Sequence, residues 1–182
     1  MPFRLLAVAT VVVLLTGCAA NVTRGSTDAA MSRVPPTAAT RLVLNVTGSD
    51  ASLKSSDWAD FKREWTENFA EESTKAGIPL VVQDGPAKAT GEAGTLLSVH
   101  VADYRFIRPG TRYAVGIMAG NAYIESTLTF RDLRTGEVFA TQAANTTSSA
   151  WQGVFSPMTN KQVEAIAADV FRQIKSGQVG QK

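Results

Sequence analysis

Thr95-Leu96-Leu97-Ser98-Val99-His100-Val101-Ala102-Asp103-Tyr104-Arg105-Phe106 decides the fold. Side chains in an extended chain point alternately to opposite faces, so Leu97, Val99 and Val101 share one face. Ser98, His100, Ala102, Tyr104 and Phe106 are expected on the other. The pattern recurs from Ala122 to Leu133, where Ile124, Leu128 and Phe130 face one way and Glu125, Thr127, Thr129 and Arg131 the other. Asp132-Leu133-Arg134-Thr135-Gly136-Glu137 reads as a hairpin turn, with Gly136 free to take positive φ. Val138 to about Ser148 is then the returning strand, antiparallel to its predecessor. A sheet with one apolar face needs a covering layer.

Two helices supply it. From Asp57 to Ala76, Trp58, Phe61, Trp65 and Phe69 recur at spacings of three and four and form one aromatic stripe. Lys62, Arg63, Glu67 and Glu71 lie opposite. Ser55, Ser56 and Asp57 are all candidate caps. Gly77, Ile78 and Pro79 stop the helix. Near the C-terminus, Thr159-Asn160-Lys161-Gln162 reads as a capping box, with Met158 and Val163 as its hydrophobic staple. Val163, Ile166, Ala167, Val170, Phe171 and Ile174 continue as one stripe, closed by Lys175 and Gly177.

The remaining elements are a first strand from Arg41 to Thr47, with Leu42, Leu44 and Val46 on one face, and a short buried strand from Ile78 to Gln83. With the helix between them they form a right-handed crossover unit. Asp84 to Gly94 is a loop of small residues. The expected architecture is an α+β two-layer sandwich: a mixed, largely antiparallel sheet of about five strands with two helices on one face.

The N-terminus carries a different signal. Arg4 is followed by the apolar run Leu5 to Leu15, then Thr16 and Gly17, the three parts of a secretory leader. The run is too short to span a bilayer, which takes roughly 20 residues. Leu15-Thr16-Gly17-Cys18 resembles the lipobox of bacterial lipoproteins. The resemblance implies cleavage before Cys18 and a thioether from its thiol to diacylglycerol, with fatty acyl chains such as palmitate as the membrane anchor. It also accounts for the single cysteine of the chain. Ala19 stands where an aspartate would favour retention in the inner membrane, so the lipobox resemblance implies the outer membrane, with the domain in the periplasm. Residues 18–40 are small and polar and read as a lipidated N-terminus and flexible tether, with a typical reach of about 25 Å. The single domain then spans 41–177, and 178–182 form a disordered tail.

Ile107 to Asn121 breaks the strand pattern with three glycines and an apolar run. It reads either as a packed turn between long strands or as a contact loop, with Arg112, Tyr113, Val115, Ile117 and Met118 as partner contacts. Arg112, Gly116, Ala119-Gly120, the alternating strand, Asp132 and Thr135-Gly136 together resemble a family of small bacterial lipoproteins known only as a domain of unknown function. That resemblance extends loosely over Arg41 to Ile174 and implies no catalytic residues. The layout is also similar to the sheet-and-helix domains of envelope assembly proteins.

Composition narrows the chemistry. The 182 residues carry 18 basic and 16 acidic side chains with no block of like charge, which does not suggest a nucleic-acid surface. His100 is the lone histidine, and with Cys18 spent on lipid no metal-ligand spacing, nucleophile elbow or glycine-rich phosphate loop remains. No cofactor, no metal and no catalytic activity are expected. The reading is a membrane-anchored lipoprotein whose domain binds an envelope protein partner. The alternative is a carrier of a small apolar ligand or lipid between sheet and helices, near Trp58, Trp65 and Tyr104.

Overall fold

In a computed structural model of the chain, residues 21–23, 34–106, 122–147, 158–177 and 179 are described. The elements are β1 (Asn21–Thr23), a single 3₁₀ turn (Ala38–Thr40), β2 (Leu42–Gly48), α1 (Asp50–Lys54), α2 (Trp58–Ala76), β3 (Leu80–Val82), β4 (Thr95–Arg105), β5 (Tyr123–Asp132), β6 (Val138–Thr147) and α3 (Met158–Ser176). The strands form one mixed sheet in the order β1-β6-β5-β4-β2-β3. β2 pairs in parallel with both β3 and β4, and the other neighbours are antiparallel. The fold is therefore the expected α+β layering with a mixed sheet.

α2 and α3 run parallel to each other. Asn160 Nδ2 donates to Glu64 Oε2 at 2.9 Å near their N-termini, and Lys175 Nζ donates to the Ala76 carbonyl at 3.1 Å near their C-termini. Beneath them lies the main core: Leu42, Leu44 and Val46 from β2, Leu97, Val99 and Val101 from β4, Ile124, Leu128 and Phe130 from β5, and both helical stripes. All these positions except the half-buried Trp58 are buried, because the two-residue and three-to-four-residue periods meet on one pair of surfaces.

Four expectations change. The first concerns β4. Its pairing with β5 shifts between Val101 and Asp103, so Ala102 is an extra residue in the ladder. The bulge reverses the alternation, and Tyr104 and Phe106 turn onto the core face instead of sharing the face of Ser98 and His100. Strict alternation across the bulge would have put Asp103 and Arg105 into the core instead.

The second concerns the strand after α2. Ile78 is buried, but it precedes β3, which is a three-residue edge strand with Val81 and Val82 exposed. It is not a buried strand.

The third concerns the limits of the packed body. β1 pairs with β6 through Asn21–Thr23, inside the stretch read as tether. Val34 and Ala38 enter the core ahead of Arg41, and Val179 enters it after Gly177.

The fourth concerns caps. α1 is a short helix that the sequence reading did not contain. It is capped by Ser49, whose Oγ accepts from the Ser52 amide at 3.2 Å. α3 begins at Met158, and Gln162 spends its Nε2 on the Ala122 carbonyl at 3.1 Å rather than closing a capping box. That bond ties the first turn of α3 to the start of β5, which local sequence cannot anticipate.

The hairpin matches its sequence. Asp132 Oδ1 accepts from the amides of Arg134 (2.7 Å) and Thr135 (3.2 Å), and Gly136 takes φ 80°. At the other end of α2, Gly77 donates its amide to the Ser73 and Thr74 carbonyls and ends the helix.

Candidate functional site

The two ends of the sandwich differ. One end carries the hairpin, the 83–94 loop and the C-termini of α2 and α3. The other carries the C-terminal ends of β2, β4 and β6, the short helix α1, and the N-termini of α2 and α3. At this second end Arg105, Tyr123, Thr147 and Asn21 lie level in adjacent strands. Residues 107–121 and 148–157, which connect β4 to β5 and β6 to α3 in the sequence, lie outside the described residues. Cys18, Arg112, Tyr113, Val115, Ile117 and Met118 lie outside the described residues.

Within the described residues this end is organised by an aromatic and carboxylate cluster. The Ala102 bulge brings the Tyr104 ring onto Phe61, stacked with centroids 4.0 Å apart, and to within 5.9 Å of Trp58. The Tyr104 hydroxyl donates to Asp57 Oδ1 at 2.6 Å, and Ser55 Oγ donates to the same oxygen at 2.6 Å. Asp57 precedes α2 and makes no side-chain bond to its amides. Its carboxylate instead fastens the strand end to the helix start. Nearby, the Tyr123 hydroxyl donates to Asp103 Oδ2 at 2.9 Å.

Burial, with the adjacent Asp57 carboxylate second, pushes the Tyr104 hydroxyl up from 10 to about 12. The phenol titrates near 10 in the unfolded chain, so its stabilising contribution is complete below that pH and is lost as pH rises towards 12. Tyr104→Phe is expected to cost about 1 kcal/mol at neutral pH, the worth of one hydrogen bond. The difference from the parent chain should stay level up to pH 10 and shrink above it. Urea unfolding of both proteins across that range checks this, and a gap that widens in alkali would contradict it.

Trp65, Phe61 and Phe69 are fully buried and contact one another, Phe61 with Trp65 at 6.2 Å and Trp65 with Phe69 at 5.8 Å. The rings considered for a ligand pocket thus fill one another's surroundings. His100 lies exposed on the sheet face opposite α2 and α3, level with Thr47 and Thr127. Among the described residues, no three His, Cys, Asp or Glu side chains group as a metal site. No described helix is long and apolar enough to cross a membrane. Asp132, Thr135 and Gly136, which carried part of the lipoprotein resemblance, form the hairpin turn described above.

The sheet ends at β3, whose outer edge is open among the described residues. Leu42 N donates to the Pro79 carbonyl and Gln83 N to the Leu44 carbonyl, both at 2.9 Å. Alternation along the ladder therefore turns the amide and carbonyl groups of Leu80 and Val82 to the open side. Val81 and Val82 are 46% and 37% exposed beside them. The signal was present in Leu80-Val81-Val82, but an edge strand and a central strand of three apolar residues read alike.

No family model and no curated protein matches the sequence. Solved structures with a similar course of chain include a PelC dodecamer from Paraburkholderia phytofirmans, at 17% identity and a TM-score of 0.49, covering 81% of this chain and 95% of that one. Protein XCC0632 from Xanthomonas campestris, of family DUF330, is 11% identical with a TM-score of 0.42, covering 84% and 90%. Lipoprotein GNA1162 from Neisseria meningitidis is 11% identical with a TM-score of 0.39, covering 75% and 99%.

Proposed function

We propose that this chain is a bacterial lipoprotein, anchored through lipid on Cys18 in the outer membrane, whose periplasmic domain binds a protein partner and performs no catalysis. The observation that carries the binding role is the β3 edge. It turns the backbone groups of Leu80 and Val82, unpaired among the described residues, outward beside two exposed valines, the surface that a partner strand can extend. The contacts among Phe61, Trp65, Phe69 and Tyr104 support partner binding over ligand carriage, because these rings are spent on the core. The leader and lipobox residues support the anchor.

The test uses the full-length chain in its native membrane. A photo-crosslinking residue at Val81 should yield a discrete adduct, and the same residue at Ala70 on the exposed face of α2 should not. Adding Val82→Lys should abolish the adduct while costing about 1 kcal/mol, since the side chain is partly exposed on an edge strand. Equal crosslinking from Val81 and Ala70, or an adduct indifferent to Val82→Lys, would reject the edge as the binding surface. A soluble, unacylated chain would reject the anchor separately.

A further inference from the structure

We infer that the end of the sandwich carrying α1 and the N-termini of α2 and α3 is held facing the membrane surface. The inference rests on the lipid anchor proposed above and adds an orientation to it. Asn21 begins β1 and pairs with Thr147, at the same level as Tyr123 and Arg105. Only Ala19 and Ala20 separate it from Cys18. Three residue steps span at most about 10 Å even when fully extended. The acylated cysteine therefore cannot stand off from this end by the roughly 25 Å that a free tether of 22 residues would allow. β1 runs antiparallel to β6, so the chain enters the sheet from this end and the hairpin at Thr135 points away from it.

The lipid surface is the occupant that this geometry specifies, because the length of chain between anchor and sheet leaves no room for the opposite end to face it. The described surface at this end includes α1, where Leu53 is 49% exposed and Lys54 follows it. α1 is placed by Ser52 Oγ, which donates to the Val101 carbonyl of β4, level with Gly48 at the end of β2. β2 lies four strands from β1, so Leu53 is about 20 Å to the side of the anchor along the sheet. An apolar side chain with a lysine beside it suits the headgroup boundary.

The experiment uses the acylated full-length protein on vesicles of phosphatidylethanolamine and phosphatidylglycerol. Because the native thiol is acylated, Leu53→Cys and Thr135→Cys each present a single reactive thiol for an environment-sensitive fluorophore. Headgroup-attached nitroxide lipids should quench the probe at position 53 several-fold more than the probe at 135. Inserting about 20 Gly and Ser residues between Ala20 and Asn21 should erase that difference while the protein still floats with the vesicles. Equal quenching without the insert, or stronger quenching at 135, overturns the orientation and leaves the anchor standing. Failure of the acylated chain to float overturns the anchor, and the orientation with it.

Discussion

Gly94→Ala should lower the unfolding free energy by about 4 kcal/mol, through backbone strain and a collision acting together. Gly94 enters β4 at φ 145°, a conformation essentially closed to residues with a side chain. A Cβ added there would stand 2.6 Å from the Arg41 carbonyl oxygen and 3.2 Å from Leu133 Cδ2. Neither neighbour can yield freely. The Arg41 carbonyl accepts the Thr95 amide at 2.8 Å, and the Gly94 carbonyl accepts the Leu133 amide at 3.0 Å. Together these bonds join β2, β4 and the end of β5. Gly91→Ala is the control: its φ is 80°, but nothing lies within 4 Å of its added Cβ, so it should cost about 1 kcal/mol. Urea unfolding should show a lower midpoint for Gly94→Ala with an unchanged slope, and equal midpoints for the two variants would refute the collision.

Trp65→Ala should cost about 3–5 kcal/mol, the usual range for removing a buried tryptophan. The ring is fully buried between Phe61 and Phe69 and holds the middle of the α2 stripe against the sheet. Its Nε1 has no hydrogen-bond partner among the described residues, so the expected loss is one of packing. Trp65→Phe tests that reasoning. It keeps an aromatic ring and removes an unpaired buried donor, and should cost about 1 kcal/mol. If both substitutions cost the same, a hydrogen bond or a gross rearrangement is responsible rather than volume. Thermal unfolding and near-ultraviolet circular dichroism separate these outcomes.

The two long helices, the long strands and the hairpin were legible because each rests on a local rule. The α2 stripe from Trp58 to Phe69 is a helical period, Leu97-Val99-Val101 is a strand period, and Asp132 with Gly136 is turn chemistry. The second half of β4 was misread because a bulge is a property of two strands. Nothing within Val101 to Phe106 says that Ser126 and Glu125 will oppose Val101 and Asp103 with Ala102 left over. Once inserted, that residue sends Tyr104 to Phe61 and Asp57 rather than to the open face. Gln162 was misread for the same kind of reason: its partner, Ala122, is distant in sequence.

Of the candidate site, the sequence supplied Cys18 and the contact residues between Ile107 and Asn121, and these lie outside the described residues. It did not supply the β3 edge, because exposure of Val81 and Val82 depends on which strand ends the sheet.

By itself the sequence determined the two-layer class, the two long helices, the hairpin turn and the lipobox resemblance, all of them written in residues near one another along the chain. Tertiary structure alone decided where the bulge falls, which edge stays open, and that β1 joins the sheet three residues after Cys18. Those are matters of pairing between distant segments, where free energy is gained only after the chain has closed its loops.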